Sequence, residues 1–259
     1  MLLQVYETVA EHPRPNSVLL VHGAVSSAPI WRRWQILLAE GGWSSVAVDL
    51  RGHGASEPVD LANVGMDDYL DDVLQIAATL PAPPVILGWS MGGLLALRFT
   101  EVAPSIGCIA LAPSPPARER TADIEIRRGV FDAAEYGITS RDPEQQRAMP
   151  DLDLEDRRLA LDSLSLESRR ARDERAAGVP VTDVPVPILL LIGEADRQFG
   201  PTTYGDFHLP ADRLLVPGAS HWGLVLGENA LDFVRDPVLA WLDHLGVPNP
   251  TGNSVPPPA

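Results

Sequence analysis

Short β-branched and leucine-rich runs recur along the chain with helical patterns between them. That alternation predicts an α/β fold, a mostly parallel central sheet covered by helices on both faces. The predicted strands are Leu2–Thr8, Val18–His22, Ser45–Asp49, Val85–Gly88, Ile106–Ala112, Ile188–Gly193 and Arg213–Val216. Most are apolar throughout, as strands buried on two faces are. Helices are predicted over Ile30–Glu40, Asp67–Leu80, Leu94–Glu101 and Glu228–Leu245. The second carries Tyr69, Val73, Ile76 and Leu80 on one face, and Asp67 and Asp68 suit the positive end of its dipole.

The alternation breaks between Ser114 and Val184, where no strand-like run stands out and twelve of the twenty arginines gather. Leu154, Leu159, Leu161, Leu164 and Leu166 read as the apolar stripe of one helix, with Arg157, Arg158, Arg169 and Arg170 on its other side. The expected organisation is a core of residues 1–113 and 185–246, a helical cap inserted at 114–184, and a Pro-rich, disordered tail at 247–259. The 259-residue length suits one such domain.

Composition narrows the function. A formal charge of −15 argues against nucleic acid as a partner, because phosphate binding needs clustered positive charge. Every basic residue is Arg, so no lysine is available for Schiff-base, P-loop or general-base chemistry. The lone Cys108 lies in an apolar run and reads as a small core residue. With no export signal and no apolar run of about 20 residues, the expectation is a cytoplasmic protein that does not engage the membrane.

The chemistry centres on Gly88-Trp-Ser-Met-Gly-Gly93, a G-x-S-x-G pattern between the strand Val85-Ile-Leu and the helix opening at Leu94. Strand–turn–helix is the setting that thrusts a serine hydroxyl clear of a sheet, with flanking glycines where a Cβ would collide. The helix N-terminus then presents the Met91 N–H to a developing oxyanion. From Val18 to about Leu245 the chain resembles the α/β-hydrolase superfamily. Val21-His-Gly-Ala24 looks like that family's His-Gly oxyanion loop, which implies the Ala24 N–H as second donor and a structural His22. Asp49-Leu-Arg-Gly-His-Gly-Ala-Ser56 is similar to the family's D-x-R-G-x-G-x-S turn, which implies a loop role for His53.

A serine nucleophile needs an imidazole base and a carboxylate to orient it. His221, in the Gly-flanked loop Pro217–Gly223 after the last strand, stands where the family places its base. Asp196, in Ile192-Gly-Glu-Ala-Asp196, resembles the family's acid, although the proline expected at its fourth following residue is displaced to Pro201. Glu194 remains the alternative orienter. The resemblance implies a cofactor-free serine hydrolase in which Ser90, Asp196 and His221 form the triad. Its expected substrate is a small soluble ester, thioester or lactone with an apolar acyl part. Trp31, Trp89 and Trp222 are candidates for the pocket walls. C–C bond hydrolysis, perhydrolysis or acyl transfer with the same triad stay open, as does a non-catalytic ligand-binding protein on this scaffold.

Overall fold

The computed structural model describes residues 1–245; the expected tail at 247–259 lies outside them. Seven strands form one sheet: β1 (Val5–Thr8), β2 (Val18–Val21), β3 (Ser45–Val48), β4 (Val85–Trp89), β5 (Gly107–Leu111), β8 (Ile188–Gly193) and β9 (Asp212–Val216). Their order across it is β1-β3-β2-β4-β5-β8-β9. Only β1 runs antiparallel, pairing Val5 with Val48 at the edge beside β3. The remaining neighbours are parallel.

Side chains alternate between two cores. Leu20, Leu87, Ile109 and Leu191 face the side covered by α1 (Arg32–Glu40), α6 (Gly223–Leu226) and α7 (Glu228–His244). Leu19, Ile86, Cys108 and Leu190 face α2 (Met66–Ala77) and α3 (Met91–Val102). Both faces are dry, which is why these strands read as continuous apolar runs rather than alternating ones. Burial also raises the Cys108 thiol pKa far above its ordinary range, so it stays protonated.

The stretch between β5 and β8 differs from its sequence reading. It contains β6 (Val130–Phe131), paired antiparallel with β7 (Glu167–Ser168), and two helices, α4 (Leu154–Asp162) and α5 (Arg169–Ala177). The expected single Leu-striped helix is therefore two, and Leu154 and Leu166 are exposed while Leu161 is buried. Serines make the break. Ser163 Oγ donates back to the Ala160 carbonyl (2.7 Å), and Ser168 Oγ both donates to Val64 O (2.5 Å) and accepts from Ala171 N (3.1 Å) as the cap of α5. Hydroxyls that offer the backbone a local alternative end helices in this way.

The parallel strands β2, β4, β8 and β9 all release their carboxyl ends on one edge of the sheet. Loops at such an edge, beside the point where strand order reverses, are where open α/β sheets carry their ligands.

Candidate active site

Ser90 occupies the turn between β4 and α3 with φ 56° and ψ −117°. A non-glycine residue in such a conformation costs about 1–3 kcal/mol and needs neighbours that over-determine it. They are present: Ser90 N donates to Leu111 O (2.9 Å), and Ser90 O accepts from Leu94 N (3.2 Å) and Ser114 N (2.9 Å). A Cβ on Gly88 would overlap the Gly92 carbonyl, and one on Gly92 would overlap the carbonyls of Val21 and His22. The two glycines therefore let β4, α3 and the end of β2 converge beneath the serine.

Strand β2 lies next to β4, so its loop reaches the same point. His22 is fully buried; its Nε2 accepts from Leu50 N (3.1 Å) and its Nδ1 contacts Gly23 O (2.8 Å). These partners require a neutral ring with the proton on Nδ1. Burial, reinforced by neighbouring His53, accordingly lowers the His22 pKa to about 4. Because Nδ1–H holds the Gly23 carbonyl, it also fixes the peptide plane whose other end is the Ala24 N–H. Among the described residues neither the Ala24 N–H nor the Met91 N–H has a protein acceptor.

His221 stands in the loop after β9. Its Nδ1 lies 2.7 Å from Asp196 Oδ2, at the end of β8. Trp89 Nε1 donates to the His221 carbonyl (3.0 Å), and the Trp89 and Phe199 rings pack on the imidazole at 4.9 and 5.6 Å between centroids. Asp196 Oδ1 accepts from Gln198 N (2.7 Å) and Phe199 N (2.8 Å). Burial pushes the Asp196 pKa up, but the bond and charge of His221 with these two N–H groups outweigh it and hold the carboxyl below its ordinary value. Glu194 is exposed and accepts from Gly218 N (3.0 Å), bracing the turn before His221 rather than touching the ring. The displaced Pro201 starts a 3-10 turn after the acid loop has closed.

One small cavity, about 10 Å³, joins these groups. Ala24, Val25, Trp89, Ser90, Tyr136, Ile138, Gln198, His221 and Trp222 line it. Trp89 and Trp222 line it. Trp31 does not: it is wholly buried at the end of a 3-10 turn, edge-on to Trp34 at 6.4 Å, and belongs to the core. Val25, Tyr136, Ile138 and Gln198 were not anticipated. Gln198 follows the acid by two residues and was reachable from loop membership, whereas Tyr136 and Ile138 sit in a stretch without periodicity. A larger surface groove of about 420 Å³ is lined by Arg32, Arg33, Asp156 and Asp162 among others, with no serine, threonine, cysteine or histidine in its wall. Among the described residues no group of three or more His, Cys, Asp or Glu is placed to hold a metal ion. No helix among them is long and apolar enough to cross a membrane.

Sheet order, the serine turn after β4 and the loops around it define an α/β-hydrolase fold. The chain matches the model of the Alpha/beta hydrolase family over residues 18–236 and belongs to that family. It is 28% identical over 184 residues to a pimeloyl-[acyl-carrier protein] methyl ester esterase of Serratia marcescens, covering 70% of this chain and 65% of that protein. The corresponding protein of Shewanella woodyi is 38% identical over 76 residues, 28% of this chain and 27% of its own length. Methylesterase 3 of Arabidopsis thaliana is 29% identical over 113 residues, 40% of this chain and 43% of its own. The chain thus spans between about a quarter and two thirds of these relatives' lengths. Among solved structures, a monoacylglycerol lipase of Paleococcus ferrophilus superposes with a TM-score of 0.69 at 21% identity, covering 93% of this chain and 98% of that one. The thioesterase domain from the curacin biosynthetic pathway gives 0.67 at 20%, covering 92% and 95%.

Proposed function

We propose that the protein is a serine esterase acting on small soluble esters through an acyl-enzyme, with Ser90 as nucleophile, His221 as base and Asp196 as orienting acid. The observation that carries this reading is that Ser90 and His221 line one cavity, with Asp196 buried behind the imidazole. The serine is held at positive φ at a strand–helix turn and lines the same cavity as the imidazole, which a buried carboxylate grips at Nδ1, 2.7 Å away. In this arrangement Asp196 keeps the proton on Nδ1, leaving Nε2 free to take the serine proton.

Attack of Ser90 Oγ on the ester carbonyl carbon gives a tetrahedral oxyanion, which the Ala24 and Met91 N–H groups receive. His221 then returns its proton to the leaving alcohol as the carbonyl re-forms. Water, deprotonated by the same imidazole, attacks the acyl-enzyme, and Ser90 regains its proton as the acid departs. The relatives' names, two of them methyl ester esterases, favour oxygen esters over the thioester and lactone alternatives.

The segment from 114 to 184 is the cap, because it supplies Tyr136 and Ile138 to the cavity wall. A space of about 10 Å³ holds roughly one water, so a substrate enters only as these side chains give way. That favours short acyl groups. The test is turnover of p-nitrophenyl acetate by wild type and Ser90→Ala. A loss of about 10³-fold or more with the fold intact is expected; retention of most activity refutes the assignment.

A further inference from the structure

Beneath the oxyanion loop lies a buried cluster of ionisable groups with no part in the reaction as described. Glu167, on β7 in the cap, is 0% exposed. Its Oε1 accepts from Tyr69 Oη (2.5 Å) and Ser168 N (2.7 Å). Its Oε2 accepts from Val25 N (3.3 Å) and lies 3.3 Å from His53 Nε2, an ion-pair contact off the hydrogen-bonding line. His53 Nδ1 reaches Arg51 O at 2.9 Å, so with Nε2 facing a carboxylate the ring is served best as an imidazolium. Arg175 adds positive charge nearby.

Val25 is the residue that needs holding. It is buried and β-branched, and its φ is 55°, in the left-handed region such side chains avoid. Its N–H goes to Glu167 and its carbonyl accepts from Ser165 N (3.0 Å). Ser165 Oγ donates to Ser26 O (3.2 Å), and Ser27 Oγ donates to Ser163 O (2.9 Å). On the core side, Asp49 accepts from Ala28 N (2.6 Å). The loop that carries Ala24 is therefore held by the core at its ends and by cap residues 163–167 at its middle. Ala24 itself lies between two fixed peptide planes, one held by His22 and the next by Glu167.

We propose that Glu167 is a positioning residue for the oxyanion hole: this cap carboxylate fixes the strained Val25 peptide, aims the Ala24 N–H, and makes catalysis depend on a docked cap. The inference rests on the esterase reading of Ser90. Pairing with His53 also neutralises Glu167, so that it does not repel the oxyanion forming above it.

Glu167→Gln separates this role from packing. The amide oxygen still accepts from Tyr69 and Ser168, and the amide nitrogen donates to a now neutral His53, leaving the Val25 N–H alone without its partner. Local charge balance is kept, because one carboxylate and one imidazolium charge vanish together. With p-nitrophenyl acetate, kcat should fall about tenfold or more with KM within about twofold of wild type. Inhibition by phenylboronic acid, whose adduct with Ser90 mimics the oxyanion, should weaken by the same factor as kcat. Tyr69→Phe, which removes only an Oε1 bond, should keep kcat within about twofold even where it lowers Tm. Should Glu167→Gln not fold, the double variant Ser27→Ala/Ser165→Ala removes two cap-to-loop bonds and should lower kcat about threefold at unchanged KM. A kcat and boronate affinity unchanged in Glu167→Gln, or in the double variant taken in its place, overturns the proposal alone. Absence of Ser90-dependent turnover in the wild type overturns the esterase reading and this proposal with it.

Discussion

Asp196→Asn exchanges one oxygen for an NH₂, yet the local bonds dictate a large effect. The side chain has two sets of partners: Oδ1 takes the N–H groups of Gln198 and Phe199, and Oδ2 takes His221 Nδ1. An asparagine must turn its oxygen to one set. Facing the two backbone donors preserves two bonds and puts the amide NH₂ against His221, whereas the flipped rotamer sacrifices two bonds to keep one. The first arrangement wins, since each buried donor left unpaired costs about 1–3 kcal/mol. His221 then has to accept at Nδ1 and carry its proton on Nε2, where it cannot take the serine proton. The expected loss in kcat is up to about 10⁴-fold, or about 5.5 kcal/mol of transition-state stabilisation. The assay is steady-state hydrolysis of p-nitrophenyl acetate, with Tm measured alongside to show that the fold persists. Glu194→Gln, an exposed neighbour bound only to Gly218 N, should stay within about twofold. A folded Asp196→Asn enzyme within about tenfold of wild type would refute the tautomer argument.

Three further outcomes follow from named contacts. Gly92→Ala forces a Cβ into the Val21 and His22 carbonyls and should lower stability by about 3 kcal/mol or abolish folding, read by urea denaturation; near-wild-type stability would mean the elbow is not this tight. Ile138→Ala enlarges the cavity wall and should shift kcat/KM toward butyrate over acetate esters by about 1–3 kcal/mol; an equal change for both would place Ile138 outside the acyl path. The His53–Glu167 pair has a signed pH dependence. Burial penalises both charges, but each partner outweighs it for the other, taking Glu167 down to about 2 and His53 above its ordinary 6.5. The Glu167 contribution is complete above its ordinary 4.5 and lost as pH falls toward about 2, whereas the His53 contribution is complete below 6.5 and lost as pH rises through the raised value. The Tm gap between wild type and His53→Asn should therefore be widest between 4.5 and 6.5; a gap that grew on the alkaline side would contradict the pairing.

The core sheet was legible because its signals are local. Runs such as Ile188–Gly193 are apolar throughout and end at turns, and their bounds agree with the observed strands to within a few residues. The serine turn was legible for the same reason: Gly88 and Gly92 are needed by the backbone that surrounds Ser90. The stretch from 114 to 184 was not. Its helices are short, its leucines are divided between buried and exposed positions, and serine hydroxyls interrupt what periodicity suggested was continuous. Trp31 misled because following the Val21–Ala24 loop in sequence does not mean facing the cavity; its 3-10 turn rotates the ring into the core. Glu167 carried no signal at all. It reads as one acidic residue in a charged segment, and its partners Val25, His53 and Tyr69 lie about a hundred or more positions away in the chain.

The central claim is that Ser90 is the activated nucleophile of this enzyme. Intact-mass spectrometry with peptide mapping after exposure to a fluorophosphonate tests it most directly. A single phosphonyl adduct on Ser90 is expected, formed in step with loss of esterase activity and absent from Ser90→Ala. Activity that survives complete labelling, or an adduct on any other residue of an inactivated enzyme, would contradict the account.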